Sequence, residues 1–208
     1  MQQISKRICD VRIFLLASAL LFFVGTTRGQ TPHPINITLD PAATTIEWTL
    51  GDTLHTVHGT FKLKEGFISC NPLTGAATGL IEIDATSGES GNSARDHRMN
   101  KSILESDRYQ LITFRPNHIE GNLGEAIHGD FVVDGIFNLH GQDHPMKMNV
   151  SVQPAADGLS IKTHFAVPYV QWGVKDPSNF VFRVSKDVSI DVNAMAKTSV
   201  TTASIKHP

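Results

Sequence analysis

The sequence predicts an all-β antiparallel domain, and three observations support that class. About nine short segments alternate apolar and polar residues with the period of two that a strand requires. One short segment alone has helical spacing, and no long helix alternates with the strands. Gly121, Gly141 and Asp157-Gly158 are among the turn-forming residues that separate the segments. A barrel and a sandwich both fit this pattern, and the barrel is favoured because closure removes exposed strand edges.

The first 29 residues, 1–29, have the features of a secretory signal peptide. A basic segment ending at Arg12 precedes an apolar run over 13–24, and Gly29 offers a small residue for cleavage. The run is shorter than the roughly 20 residues that cross a bilayer, so the sequence predicts cleavage and no stable membrane insertion. We therefore expect a periplasmic or secreted protein.

Composition after cleavage excludes one class of partner. Removing residues 1–29 leaves 14 basic and 19 acidic residues, a net charge of −5. A chain that tracks nucleic-acid phosphates needs a basic surface, so no nucleic acid is expected as a partner. Cys70 becomes the only thiol, and it is expected to pack as a small apolar side chain rather than to react.

The mature chain divides into three predicted parts. Residues 30–43 are expected to form a loose lead-in, 44–196 the barrel domain and 197–208 a C-terminal tail. Alternation begins around Trp48 and continues through most of the domain. Within it, residues 65–71 are expected to pair back on the preceding strand after a short turn, and 179–185 to form a further strand.

The one helical segment covers about residues 93–104. Asn92 or Ser93 can cap it by accepting hydrogen bonds from the first free amides. Met99, Ile103 and Leu104 then share one side and are expected to face the barrel mouth. The charged residues from 95 to 98 are expected on the opposite, polar side.

A series of motifs completes the picture. In order they are Gly-Thr-Phe (59–61), Ile-Glu-Ile-Asp (81–84), Arg-Asp-His-Arg-Met (95–99), Ser-Asp-Arg-Tyr-Gln-Leu-Ile-Thr-Phe (106–114) and Gly-Ile-Phe-Asn-Leu-His-Gly (135–141). This order resembles that of the YceI-like family of exported, lipocalin-like, polyisoprenoid-binding proteins, over about residues 37–196. The resemblance implies an eight-stranded antiparallel β-barrel with a helix near one end, enclosing an elongated apolar pocket for an isoprenoid chain.

Two positions depart from the family pattern. Gln110 follows Tyr109 where the family usually has proline. Phe137 stands where leucine is usual, and its bulk is expected to shorten or reshape the pocket.

Alternating apolar side chains are the candidate ligand-binding residues. They are Trp48, Phe61, Ile81, Ile83, Ile112, Phe114, Phe131, Phe137, Leu139, Met146, Met148, Phe165 and Val167. Alternation alone favours a filled core over a lined tunnel, and the resemblance reverses that preference. Arg98, Tyr169 and Arg183 are the candidates for a polar head group at the mouth.

The sequence therefore favours a binding and carrier protein over an enzyme, with an isoprenoid lipid as its partner and no cofactor. An exported hydrolase that uses histidine or a bound metal is the alternative. Against it, adjacent helical residues such as Asp96 and His97 point about 100° apart, and the pair at His140 and His144 has no third ligand at recognisable spacing. A solid barrel that acts through its outer surface, and a homodimer, are left open.

Overall fold

A computed structural model of the chain describes residues 33–52, 55–124, 127–179 and 183–200. The expected signal peptide lies outside these ranges, as do residues 201–208 of the expected tail. Among the residues that the structure describes, no helix is both long enough and apolar enough to cross a bilayer.

Nine strands in the described part of the chain form a single antiparallel sheet that closes on itself. The strands are β1 (Ile35–Leu39), β2 (Thr45–Gly51), β3 (Thr56–Cys70), β4 (Ala77–Glu89), β5 (Leu111–Glu120), β6 (Gly129–Leu139), β7 (Gln142–Ala155), β8 (Gly158–Val167) and β9 (Val188–Val200). From β3 to β9 each strand pairs with the next in sequence. Because β1 and β2 both pair with β3 and with β9, they share one position, and the barrel has eight. The predicted eight-stranded barrel with one short helix is confirmed.

The expectation that residues 30–43 form a loose lead-in is wrong from Ile35 onward, where β1 begins. Residue Ile37 of β1 lies opposite Ile68 of β3 and Thr198 of β9. A 3₁₀ turn (Pro41–Ala43) then interrupts the strand position, with the Asp40 carboxylate accepting a hydrogen bond from the Ala42 amide at 2.9 Å. The alternation in β1 is only five residues long, and Pro41 follows closely. Sequence analysis therefore assigns the segment to a loop, because a proline beside so short a pattern indicates a turn. Strand β9 correspondingly continues to Val200, so residues 197–200 belong to the barrel.

Strand β3 is one long strand where the sequence suggests two. Residues 65–71 do not turn back on 57–63. Where a turn is expected, the strand continues along β4, and its pairing there is interrupted by register shifts around Lys62 and Glu65. Such bulges absorb an extra residue and bend the strand without ending it. The expected strand over 179–185 is also absent from its described residues, where Val184 forms a single bridge to Asp52.

The helical segment follows β4 as α1 (Ser93–Arg98) and continues as a wider π-type turn (Met99–Ile103). The Asn92 side chain caps the helix by accepting a hydrogen bond from the Arg95 amide at 3.1 Å. The Leu104 amide donates to the Met99 carbonyl at 2.9 Å, five residues back. Both the cap and the length agree with the prediction.

Cys70 lies in the barrel wall at the end of β3. Its side chain is 1% exposed, and burial raises the pKa of the thiol. The predicted packing of this residue as a small apolar side chain is confirmed.

Candidate ligand cavity

An apolar cavity occupies the helix end of the barrel. Its volume is about 310 Å³, near the lower end of the roughly 300–1,000 Å³ that small-molecule pockets span. Its lining comprises Trp48, Leu50, Asp52, Val57, Phe61, Arg95, Arg98, Met99, Ile103, Leu104, Ile112, Phe137, Leu139, Val167, Tyr169, Val174, Pro177, Asn179, Val184, Val188 and Ile190. We call its four non-aromatic polar members, Asp52, Arg95, Arg98 and Asn179, the mouth.

The cavity stops part-way along the barrel. The next inward-facing residues along three of the strands, Ile46, Leu63 and Phe114, do not line it and are at most 6% exposed. They belong to the buried hydrophobic cluster that continues beyond the cavity. The barrel therefore has a hollow end and a packed end.

The helical segment forms part of the end wall. Met99, Ile103 and Leu104 all line the cavity, as the sequence predicts. Arg95 and Arg98 line it as well, so the expectation that these charges lie on the side away from the barrel is wrong for both arginines. Regular helical spacing already places Arg95 on one face with Arg98 and Met99, which lie three and four residues further along the chain.

The rest of the end wall comes from the chain that follows β8, residues 168–179, which we call the strap. Strands β7 and β8 pair only from Val150 opposite Thr163 to the hairpin between them. Beyond that point they separate, and the strap lies against β7 there. Within it, the Trp172 ring stacks on His144 with centroids 4.2 Å apart and planes 3° apart. The same indole packs 5.7 Å from the ring of Phe137, a cavity residue.

Tyr169 fastens the strap to the chain before β9. Its side chain is buried in the cavity wall, and its hydroxyl donates to the Ser185 carbonyl at 2.6 Å. Burial first, and then the charges of Asp176 and Asp187, raise the pKa of Tyr169 to about 12. The hydroxyl proton is thus engaged with the chain before β9, and this bond holds the cavity wall in place.

Trp48 forms the deepest part of the lining on β2. Its indole lies over Gly59, where an added Cβ would overlap the ring and the Glu89 carbonyl. Only glycine leaves room for this arrangement, which accounts for the Gly-x-Phe motif at 59–61. The indole Nε1–H is buried without a hydrogen-bond partner among the described residues.

The arginines at the mouth are held by neutral groups. The Arg95 Nε donates to Ser90 Oγ at 2.7 Å and its Nη2 to the Ser90 carbonyl at 2.9 Å. The Arg98 Nη2 donates to the Pro177 carbonyl of the strap at 3.3 Å. Arg95 is half-buried and Arg98 exposed.

The structure brings half of the sixteen predicted residues to the cavity. Those lining it are Trp48, Phe61, Ile112, Phe137, Leu139, Val167, Tyr169 and Arg98. Seven apolar candidates lie elsewhere in the barrel: Ile81, Ile83, Phe114, Phe131, Met146, Met148 and Phe165. Of these, Phe131 also borders a separate cleft of about 600 Å³ against β7, β8 and β9. Arg183 is exposed and lies outside the cavity lining.

The sequence interpretation missed the residues that close the cavity end. The period-two alternation could have identified Leu50 and Val57, since these residues extend the inward faces of β2 and β3. Val174 and Pro177 lie in the strap, where no periodicity exists to identify them.

The residues considered for catalysis and for a metal have other contacts. The Asp96 carboxylate accepts hydrogen bonds from the Ser90 amide, at 2.9 Å, and from the Ser90 hydroxyl, so it does not orient His97. His140 packs on Tyr109 with ring centroids 4.1 Å apart, while His144 stacks on the strap. Within the described ranges no three His, Cys, Asp or Glu side chains are grouped as a metal site requires.

Residues 37–196 match the family model of the YceI-like domain. The chain belongs to the YceI-like family. No curated protein sequence matches it. Among solved structures, BcnA of Burkholderia cenocepacia superposes with a TM-score of 0.61 at 16% identity, covering 77% of this chain and 99% of that one. A polyisoprenoid binding domain from Saccharophagus degradans, implicated in plant cell wall breakdown, gives 0.56 at 17% identity, covering 78% and 98%. These likenesses establish the YceI-like fold.

Proposed function

We propose that this YceI-like chain is an exported protein that binds and carries an isoprenoid lipid, of the polyprenyl or prenylquinone type, in the barrel cavity. The observation that carries the proposal is an apolar hollow at one end of a closed barrel. A barrel that had only to be stable would gain by filling that space, because each empty region forfeits contacts.

The lining suits a hydrocarbon chain in particular. Apart from the four mouth residues, the lining consists of nonpolar and aromatic side chains. Burying each methylene group of a ligand contributes about 0.8 kcal/mol, so a few isoprene units give useful affinity without polar contacts. The polyisoprenoid binding of the Saccharophagus degradans domain is consistent with this ligand class.

In the bound state we place the chain against the inner walls and the head group at the mouth. The ligand is carried and released without a covalent step. Export rests on the signal-peptide features of residues 1–29, and it would put the carrier where a water-insoluble lipid must cross an aqueous space.

Native mass spectrometry of the protein purified from its own host, followed by solvent extraction, tests the proposal. We expect a stoichiometric prenyl lipid. In a Val57→Trp variant the new indole fills the cavity, and the lipid should be lost. Thr56→Trp is the matched control, because Thr56 is exposed on the opposite face of the same strand, and it should retain the lipid. Recovery of no apolar ligand, or equal recovery from both variants, would overturn the proposal.

A further inference from the structure

We infer that the mouth selects a lipid with an anionic head group, a phosphate or a carboxylate, over a neutral one, with Arg95 and Arg98 as its cationic contacts. This inference rests on the proposed function, since it assigns the head group of the lipid whose chain fills the cavity.

Both guanidinium groups border the cavity with donors to spare. A guanidinium carries five N–H donors. The hydrogen bonds of Arg95 engage its Nε and Nη2, and that of Arg98 engages its Nη2. In each residue the Nη1 donors remain for a ligand. All three bonds go to a hydroxyl or to carbonyl oxygens, so they fix the side chains without neutralising them.

The charges of the mouth are not balanced by ion pairs with the arginines. Among the described residues, no carboxylate lies within ion-pair distance of Arg95 or Arg98. Asp52, the acidic member of the mouth, lies 3.4 Å from the His55 ring and accepts the His55 amide at 2.9 Å. Asp96 accepts from the Ser90 amide and hydroxyl, and the same hydroxyl accepts from Arg95 Nε, so Asp96 offsets part of the charge of Arg95. Arg98 has no carboxylate linked to it in this way and is therefore the principal cation beside the apolar cavity.

The position of the charges fixes the orientation of the ligand. Outside the four mouth residues, the lining is apolar apart from the engaged hydroxyl of Tyr169 and the indole N–H of Trp48. A charged head group is costly to bury among such residues and therefore stays at the mouth. A carboxylate or phosphate there accepts charge-assisted hydrogen bonds, which are stronger than those a neutral carbonyl or alcohol accepts. The hydrocarbon chain then points inward, toward the floor formed by Ile46 and Phe114.

Binding of three probes distinguishes recognition of the head group from recognition of the hydrocarbon chain. Farnesyl phosphate and farnesol share one chain and differ in charge, while palmitate carries a carboxylate on an unbranched chain. Each is titrated against protein loaded with N-phenylnaphthylamine, whose displacement is followed by fluorescence. We expect farnesyl phosphate to bind about tenfold more tightly than farnesol at low ionic strength, and the preference to shrink as salt is added.

The variant Arg98→Gln should lose most of that preference while keeping its affinity for farnesol. Arg108→Gln removes the same charge from an exposed arginine outside the cavity lining, and it should behave as the wild type. Equal binding of farnesyl phosphate and farnesol, or equal effects of the two variants, would overturn the anionic head group. Palmitate binding that depends on Arg98, without binding of either farnesyl probe, would support the anionic mouth and overturn the isoprenoid chain. Failure of all three probes would overturn the proposed function itself.

Discussion

At the scale of single residues, the contacts that close the cavity depend on a few polar atoms in an apolar wall. Tyr169 is the clearest case, since its ring lines the cavity while its hydroxyl donates to the Ser185 carbonyl. Sequence analysis names the residue as a site candidate, and the structure places its ring in the cavity lining. The sequence alone cannot show that the hydroxyl donates to a backbone carbonyl sixteen residues away. Ser185 is held there by a hydrogen bond from its amide to the Gly51 carbonyl of β2, which is a long-range contact and not a local pattern.

Replacing Tyr169 with Phe should lower the free energy of unfolding at neutral pH by about 1 kcal/mol, the value of one neutral hydrogen bond. The pKa of Tyr169 in the folded protein is about 12, above the value of about 10 for an unfolded chain. The stabilisation is therefore complete below pH 10 and is lost as the pH rises toward 12. Urea unfolding of both proteins at pH 8, 10 and 11 should show the difference between them narrowing with pH. A constant difference would contradict the raised pKa.

At the scale of elements, the gap between β7 and β8 sets how the cavity is closed. The two strands pair only over the part next to their hairpin, and the strap covers the remainder through the stack of Trp172 on His144. The barrel strands are predictable because alternation reports which face is inward. The strap is not, because an irregular segment takes its conformation from the surfaces it covers.

We expect Trp172→Ala to speed ligand release, because it removes the ring that holds the strap against β7. Stopped-flow dilution of protein loaded with N-phenylnaphthylamine would give the release rate. One stacked aromatic pair contributes about 1 kcal/mol beyond its buried area, which corresponds to about a fivefold faster rate. Trp172→Phe keeps a ring at this position and is the control, with a rate close to that of the wild type. Unchanged release in Trp172→Ala would mean that the ligand leaves past the helix instead.

At the scale of the whole molecule, the barrel has a hollow end lined by apolar residues and a packed end beyond it. The family resemblance correctly anticipates the eight-stranded closure and the position of the helix. Alternation alone cannot separate cavity from core, because Phe137 and Phe131 both face inward on β6 and only Phe137 lines the cavity. Which inward residues stay uncovered depends on the packing of all eight strand positions, together with the helix and the strap.

The two phenylalanines allow a matched test of this division. Phe137→Leu should enlarge the cavity and favour geranylgeraniol over farnesol, because burying one further methylene group contributes about 0.8 kcal/mol, or about fourfold in affinity. Phe131→Leu changes the same side chain outside the cavity and should leave the preference unchanged. Each should cost about 1 kcal/mol in urea unfolding. A similar shift in chain-length preference in both variants would show that the packed end also accepts ligand.

The buried residues outside the cavity give the protein a stable interior that does not depend on a ligand. Ile37, Leu159 and Ala194 are among them, and none of them lines the hollow. An empty cavity therefore leaves this interior intact, as the proposed carrier would require between ligands. Substitutions among the lining residues leave that interior untouched, so they can change what the cavity accepts over evolutionary time without first destabilising the fold.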